Sequence, residues 1–153
     1  MRAEDYMLQY RRCRVEIERC RERIQILSDN CQRVTSSWQE DKVQSSHLPD
    51  KLGELIARIS DLEEDLMIQV SEAIDLMNQI EGVINLIPDP DYQRVLHKRY
   101  IACKTYEQIA NDMIISERWA WELNQRALRE VDKLINGYQP AELNIISDNE
   151  VNN

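Results

Sequence analysis

The chain has 153 residues, 19 Lys+Arg against 28 Asp+Glu for a formal charge of −9, and only three glycines and four prolines. That length suits one domain or two small ones. So few breakers in a chain that is 31% charged argue for long helices, and against an all-β sandwich, a collagen-like chain or a Gly/Ser-rich one; nor can the phosphate cradles GxxxxGK(S/T) or GxGxxG be written with these three glycines.

No run of 18 apolar residues occurs, so no membrane span is expected, and Met1 to Tyr10 do not read as a secretory signal. A reducing cytoplasm is the expected setting, with Cys13, Cys20, Cys31 and Cys103 as thiols. There is no CxxC pair, and His47 and His97 lie far apart, so neither a metal site nor a cofactor is expected. Charge is segregated: residues 1–37 carry +2, residues 38–91 carry −10, residues 92–137 carry +2 and residues 138–153 carry −3. A globally acidic balance argues against nucleic acid, but screening beyond roughly 8–10 Å leaves the two basic segments able to meet phosphates. The acidic run is either a solvated helix face or a surface that repels DNA or docks a basic partner.

In the first segment Tyr6, Tyr10, Cys13, Ile17, Cys20, Ile24, Leu27, Cys31 and Val34 alternate spacings of four and three. This is an unbroken heptad seam, and so narrow a stripe needs a partner helix. The seam cysteines act as small apolar residues. Residues 35–50, rich in Ser and ending near Pro49, predict a connector, with Asp50 capping the next helix. Trp38 in this stretch suits either packing or exposure. The seam resumes at Leu52, Leu55, Ile59, Leu62, Leu66, Val70, Ala73, Met77, Ile80, Ile84 and Ile87, with a stutter around Leu66. Two such seams pack either as an antiparallel hairpin or between chains of a dimer. Pro88 and Pro90 end the helix and mark a domain joint.

Beyond the prolines the helices shorten. Val95, Leu96, Tyr100 and Ile101 predict one amphipathic stretch. Thr105 caps a second helix carrying Tyr106, Ile109, Ala110 and Met113. Ser116 caps a third from Glu117 to about Ile135, with Ala120, Leu123, Ala127, Val131 and Leu134 inward and Gly137 as its stop. A short helix, a tight turn and a longer helix is the layout of a helix-turn-helix. Residues 138–153 offer little to bury and predict a frayed acidic tail. The expected fold is thus all-α: a helical hairpin or coiled coil over 1–87, a helix-turn-helix over 88–137, and the tail.

Arg99-Tyr100-Ile101, Thr105-Tyr106-Glu107-Gln108-Ile109-Ala110 and Ser116 through Ala127-Leu128 resemble the region-four helix-turn-helix of bacterial primary sigma factors. With the Arg/Glu-rich first helix and Asp61-Leu62-Glu63 in the second, the whole chain is similar to phage-borne sigma-like regulators, among them the RinA- and ArpU-type late-gene activators. The resemblance implies promoter binding and regulation of phage or prophage late genes in the cytoplasm of a bacterial host. One position departs from the pattern: Ile114 stands where the turn usually has Gly, and a β-branched residue resists positive φ. Either the turn takes another conformation or the register shifts by one residue.

On the matching family positions Glu117, Arg118, Trp121, Glu122 and Gln125 are the major-groove readers. Arg118 suits guanine, Gln125 adenine, Glu122 cytosine and Trp121 a thymine methyl. Lys104, Thr105, Arg126 and Arg129 would hold phosphates. Trp119 and Trp121 also suit an apolar contact with a protein partner. The expected partners are double-stranded promoter or operator DNA, RNA polymerase, and a second copy joined through the coiled coil. Two other readings stay open, a small terminase-like DNA-packaging protein and an adaptor binding polymerase or sigma factor. An enzyme is not expected: Glu63-Glu64 lack a neighbouring His, Cys or glycine loop.

Overall fold

The computed structural model describes residues 1–40 and 48–137. The expected tail over 138–153, the middle of the expected connector and the side chain of Trp38 lie outside the described residues. The fold is all-α, with no strand among the described residues: α1 (Ala3–Met7), α2 (Gln9–Glu40), α3 (Leu48–Asn85), α4 (Pro90–Leu96) running into a π-helical turn (His97–Ile101), α5 (Tyr106–Met113) and α6 (Glu117–Asn136). Two compact units divide the described residues, one formed by Gln9–Gln79 and the other by Met1–Leu8 with the described residues from Ile80 onward.

In the first unit, the seam positions of α2 and α3 are the shielded ones, from Tyr10 to Val34 and from Leu52 to Met77, while the arginines and carboxylates between them face water. The Cys20 thiol donates to the Leu62 carbonyl at 3.5 Å, which brings the middle of α2 against α3. Residues 41–47 can reach no more than about 30 Å, and α2 is about 48 Å long. With that contact the two helices must run in opposite directions. Helix continues through much of the stretch expected as connector. The hydroxyls there turn back onto the helix: Thr35 Oγ1 donates to the carbonyls of Cys31 and Gln32, Ser36 Oγ to Gln32 and Ser37 Oγ to Val34, at 2.9–3.1 Å. A hydroxyl satisfied in this way no longer competes for the helix's own amides. Asp50 is not the cap of α3 but lies inside its first turn, where a carboxylate complements the helix dipole. Pro49 is tolerated beside it because first-turn amides have no intrahelical acceptor.

The second unit has the tighter core. Ile80 and Ile84 on the last turns of α3, and Ile87 just beyond, are buried with Val95, Leu96 and Tyr100. Asp89 caps α4, its carboxylate accepting from the Asp91 and Tyr92 amides at 2.9 and 3.3 Å, with Pro90 preset at the first helical position. Gln93 Nε2 donates to the Ile87 carbonyl at 2.7 Å and ties the joint together. The Ala102 amide donates back five residues to His97, which closes the π turn, and Cys103 takes a left-handed conformation with φ 56°. The N-terminal helix also belongs here. Ala3 and Met7 on α1 are buried against α6, Met7 completely. Burying such a side chain contributes about 1.5–3 kcal/mol. Packing therefore groups Met1–Leu8 and Ile80–Ile87 with the C-terminal helices, where sequence periodicity groups them with the coiled coil.

Candidate nucleic-acid interface

Three caps position the helices of the candidate face. Thr105 Oγ1 accepts from the Gln108 amide at 3.2 Å while Gln108 Oε1 accepts from the Thr105 amide at 3.0 Å, a reciprocal capping box that starts α5. Ser116 Oγ accepts from the Trp119 amide at 3.1 Å and starts α6. Between them Ile114 ends α5 in the left-handed region, φ 57° and ψ 49°. The turn thus keeps the conformation for which glycine is suited, and a β-branched residue carries the strain. Its side chain is 92% exposed, so no packing compensates.

α6 divides cleanly by face. Ala120, Leu123, Asn124, Ala127, Leu128 and Val131 are buried, and Ala120 and Ala127 are fully enclosed. At about 100° per residue, Arg118, Glu122, Gln125 and Arg129 fall on one row opposite that stripe. The Arg118 side chain is 89% exposed, and its Nε donates to Glu122 Oε1 at 3.3 Å, one helical turn on. An exposed pair of this kind contributes little to stability and exchanges readily for another acceptor. Glu117 and Trp121 lie on one flank of the row, both exposed, Trp121 at 50%. Trp119 and Arg126 lie on the other, with the Arg126 guanidinium 5.0 Å from the centroid of the Trp119 ring. That stacking holds Arg126 in place.

The phosphate candidates are less uniform. Arg126 and Arg129 are exposed on α6. Thr105 is exposed but serves as the α5 cap. The Lys104 ammonium is engaged with Asp112 Oδ2, and Lys98 Nζ reaches the same oxygen at 2.9 Å. Hydrogen bonds from Lys104 and then Lys98 hold the Asp112 carboxyl below the usual carboxylate range. Two ammonium groups on one carboxylate leave the cluster net positive. Periodicity missed Lys98, because only the π turn brings it to Asp112. It also missed the groove of about 440 Å³ between α1 and α6, where Ala3 and Glu4 meet Gln125, Leu128, Arg129, Asp132 and Lys133. This groove places an acidic residue of α1 beside the Gln125 and Arg129 end of the row.

Behind the row, Asn124 is completely buried, and its Nδ2 donates to the hydroxyls of Tyr100 and Tyr106 at 3.2 and 3.1 Å. The Tyr106 ring also carries the Arg99 guanidinium 4.4 Å from its centroid, and Arg99 Nη1 donates to the Lys104 carbonyl at 2.9 Å. The π turn, α5 and α6 are thereby locked to one another. Burial pushes the Tyr100 hydroxyl up to about 12, against a smaller opposing effect of its bond to Asn124.

Among the described residues, no group of three or more His, Cys, Asp or Glu side chains is arranged to hold a metal ion, and no helix is long and apolar enough to cross a membrane. No curated protein and no solved structure matches the chain. The model of a family described as a protein of unknown function, DUF1492, matches residues 33–132, and the chain belongs to that family.

Proposed function

We propose that α5, the Ile114–Ser116 turn and α6 form a helix-turn-helix that reads double-stranded DNA, and that the protein is a sequence-specific transcription regulator of phage or prophage genes. The observation that carries this reading is the outward row Arg118, Glu122, Gln125 and Arg129 on a capped helix whose opposite face is anchored by alanines and leucines. A helix in the major groove needs such a face, with its first turns open to base edges. In this reading Arg118 and Gln125 contact bases, with Glu117, Trp121 and Glu122 alongside them. Arg126, Arg129, Thr105 and the Lys98–Lys104 pair hold phosphates. The resemblance of the segment from Arg99 to Leu128 to sigma region four supports the same assignment and suggests promoter DNA and RNA polymerase as partners.

The exposed indoles of Trp119 and Trp121 favour a second reading, an adaptor that binds polymerase or sigma factor through an apolar contact. Titration of duplex DNA with the full-length chain across a salt series separates the two. The DNA reading predicts binding that weakens linearly in log–log form as salt rises, with a shallower slope for Arg129→Glu. Retention of polymerase with no duplex binding at any salt selects the adaptor.

A further inference from the structure

α2 and α3 leave their shared seam half open. Of the seam side chains between Gln9 and Gln79, Cys20 and Ala73 are buried, whereas Ile17, Ile24, Ile59 and Leu66 stay half-buried. Two helices are one pair short of the four that close a bundle core. Beside the seam α3 carries a second apolar line, Ile56, Met67 and Ile74, exposed at 56%, 74% and 49%. Their separations of eleven and seven residues bring them within about 20° of one another, roughly a quarter turn from the seam.

The charges around these faces identify what can cover them. α3 carries a net −7; Glu63 stands within the line, between Ile56 and Met67, and Glu64 stands beside it. α2 carries a net +2, with Arg14 and Arg21 on one flank of its seam and Arg23 on the other. An α3 laid on the α3 of a second copy would oppose like charges. Laid on the α2 of a second copy it meets arginines, whose aliphatic stems cover isoleucine and methionine while their heads reach carboxylates. A two-fold axis satisfies both such pairs at once, because each contact is then made twice.

We propose that a second copy of this chain docks on the α2–α3 unit, forming a four-helix bundle. The line Ile56, Met67 and Ile74 of each copy lies against an arginine flank of α2 in the other. This proposal does not depend on the nucleic-acid reading. Sedimentation equilibrium of the full-length protein at about 10–100 μM tests it. The expected mass is twice the 18.1 kDa chain. M67E/I74E changes two exposed side chains, so helicity by circular dichroism should persist while the dimer dissociation constant rises at least about 100-fold, a factor of ten for each ~1.4 kcal/mol lost. Val15→Glu, on the face of α2 turned away from the seam, should leave the mass unchanged. If M67E/I74E loses helicity, Ile56→Glu carries the same expectation. A monomeric or higher-order wild type, an M67E/I74E or I56E dimer as tight as wild type, or a V15E variant that dissociates equally overturns the proposal.

Discussion

Asn124 Nδ2 donates to the Tyr100 hydroxyl at 3.2 Å inside the core of the C-terminal unit, and the same amide group reaches Tyr106 at 3.1 Å. One polar side chain on α6 thereby sets the distance to both the π turn and the start of α5. Replacing it with an apolar residue leaves the buried Tyr100 hydroxyl without this partner, whereas Tyr106 is only half-buried. Asn124→Leu should cost about 1–3 kcal/mol, the cost of one orphaned buried group. Tyr100→Phe should cost about 1 kcal/mol. In urea denaturation the double variant should lose less than the sum of the two, since they share a bond.

The buried Tyr100 hydroxyl gives a pH signature. Its folded pKa is raised to about 12 from the ordinary 10, so the folded state favours the protonated form. That stability is fully present below pH ~10 and is lost as pH rises through the folded value. Burial also raises Tyr6, so phenolate absorbance should show Tyr100 as the last of the six tyrosines to titrate, together with loss of helicity. In Tyr100→Phe this last component should be absent.

The Asp112 carboxyl works in the opposite direction. Lys104 and Lys98 lower its folded pKa, so its contribution is present above the unfolded value of ~3.9 and is lost as pH falls through the depressed one. Asp112→Asn should flatten the acid limb of stability below pH ~4. It should also free two lysines, so any duplex binding should tighten and its salt slope steepen. Unchanged acid stability would mean that the pair of ammonium groups does not act on this carboxylate in solution.

Ile114 offers a substitution that stabilises. A β-branched residue in the left-handed region is strained by ~1–2 kcal/mol, and at 92% exposure the side chain contributes no packing in return. Part of the relief is offset by the greater freedom of glycine in the unfolded chain. Ile114→Gly should therefore raise stability by about 0.5–1 kcal/mol in thermal or urea unfolding. A loss would show that the turn relaxes in solution to a conformation isoleucine tolerates.

Much of this fold was legible because its signals are local and periodic. The seams from Tyr10 to Val34 and from Leu52 to Met77 follow from alternating spacings of three and four, and the shielded positions are those residues. Thr105 and Ser116 each precede a helix with an acceptor oxygen at capping distance, so the starts of α5 and α6 could be placed. The inward stripe of α6 was legible for Ala120, Leu123, Ala127 and Val131. Asn124 was not, because a polar residue reads as solvent-facing until two tyrosines from other elements are known to surround it. Leu128 is buried and shares a groove with Ala3 and Glu4 of α1, more than a hundred residues away, a pairing that no local pattern carries. The extension of α2 through Thr35, Ser36 and Ser37 went unread because serine usually signals a loop, and its bonds back to the helix are a property of the folded chain. At the candidate interface, the exposure of Arg118 and Trp121 followed from the wheel, but the engagement of Lys98, on the π turn, with Asp112 on α5 did not.

Selection of duplexes from a randomised pool by the full-length protein asks whether α6 reads DNA sequence. A recurrent motif is expected for the wild type. Arg118→Ala should show relaxed preference at one guanine position and a loss of about 1–3 kcal/mol there, the worth of one bidentate base contact. A pool that stays random, with no duplex retained even at low salt, would contradict a DNA-reading α6.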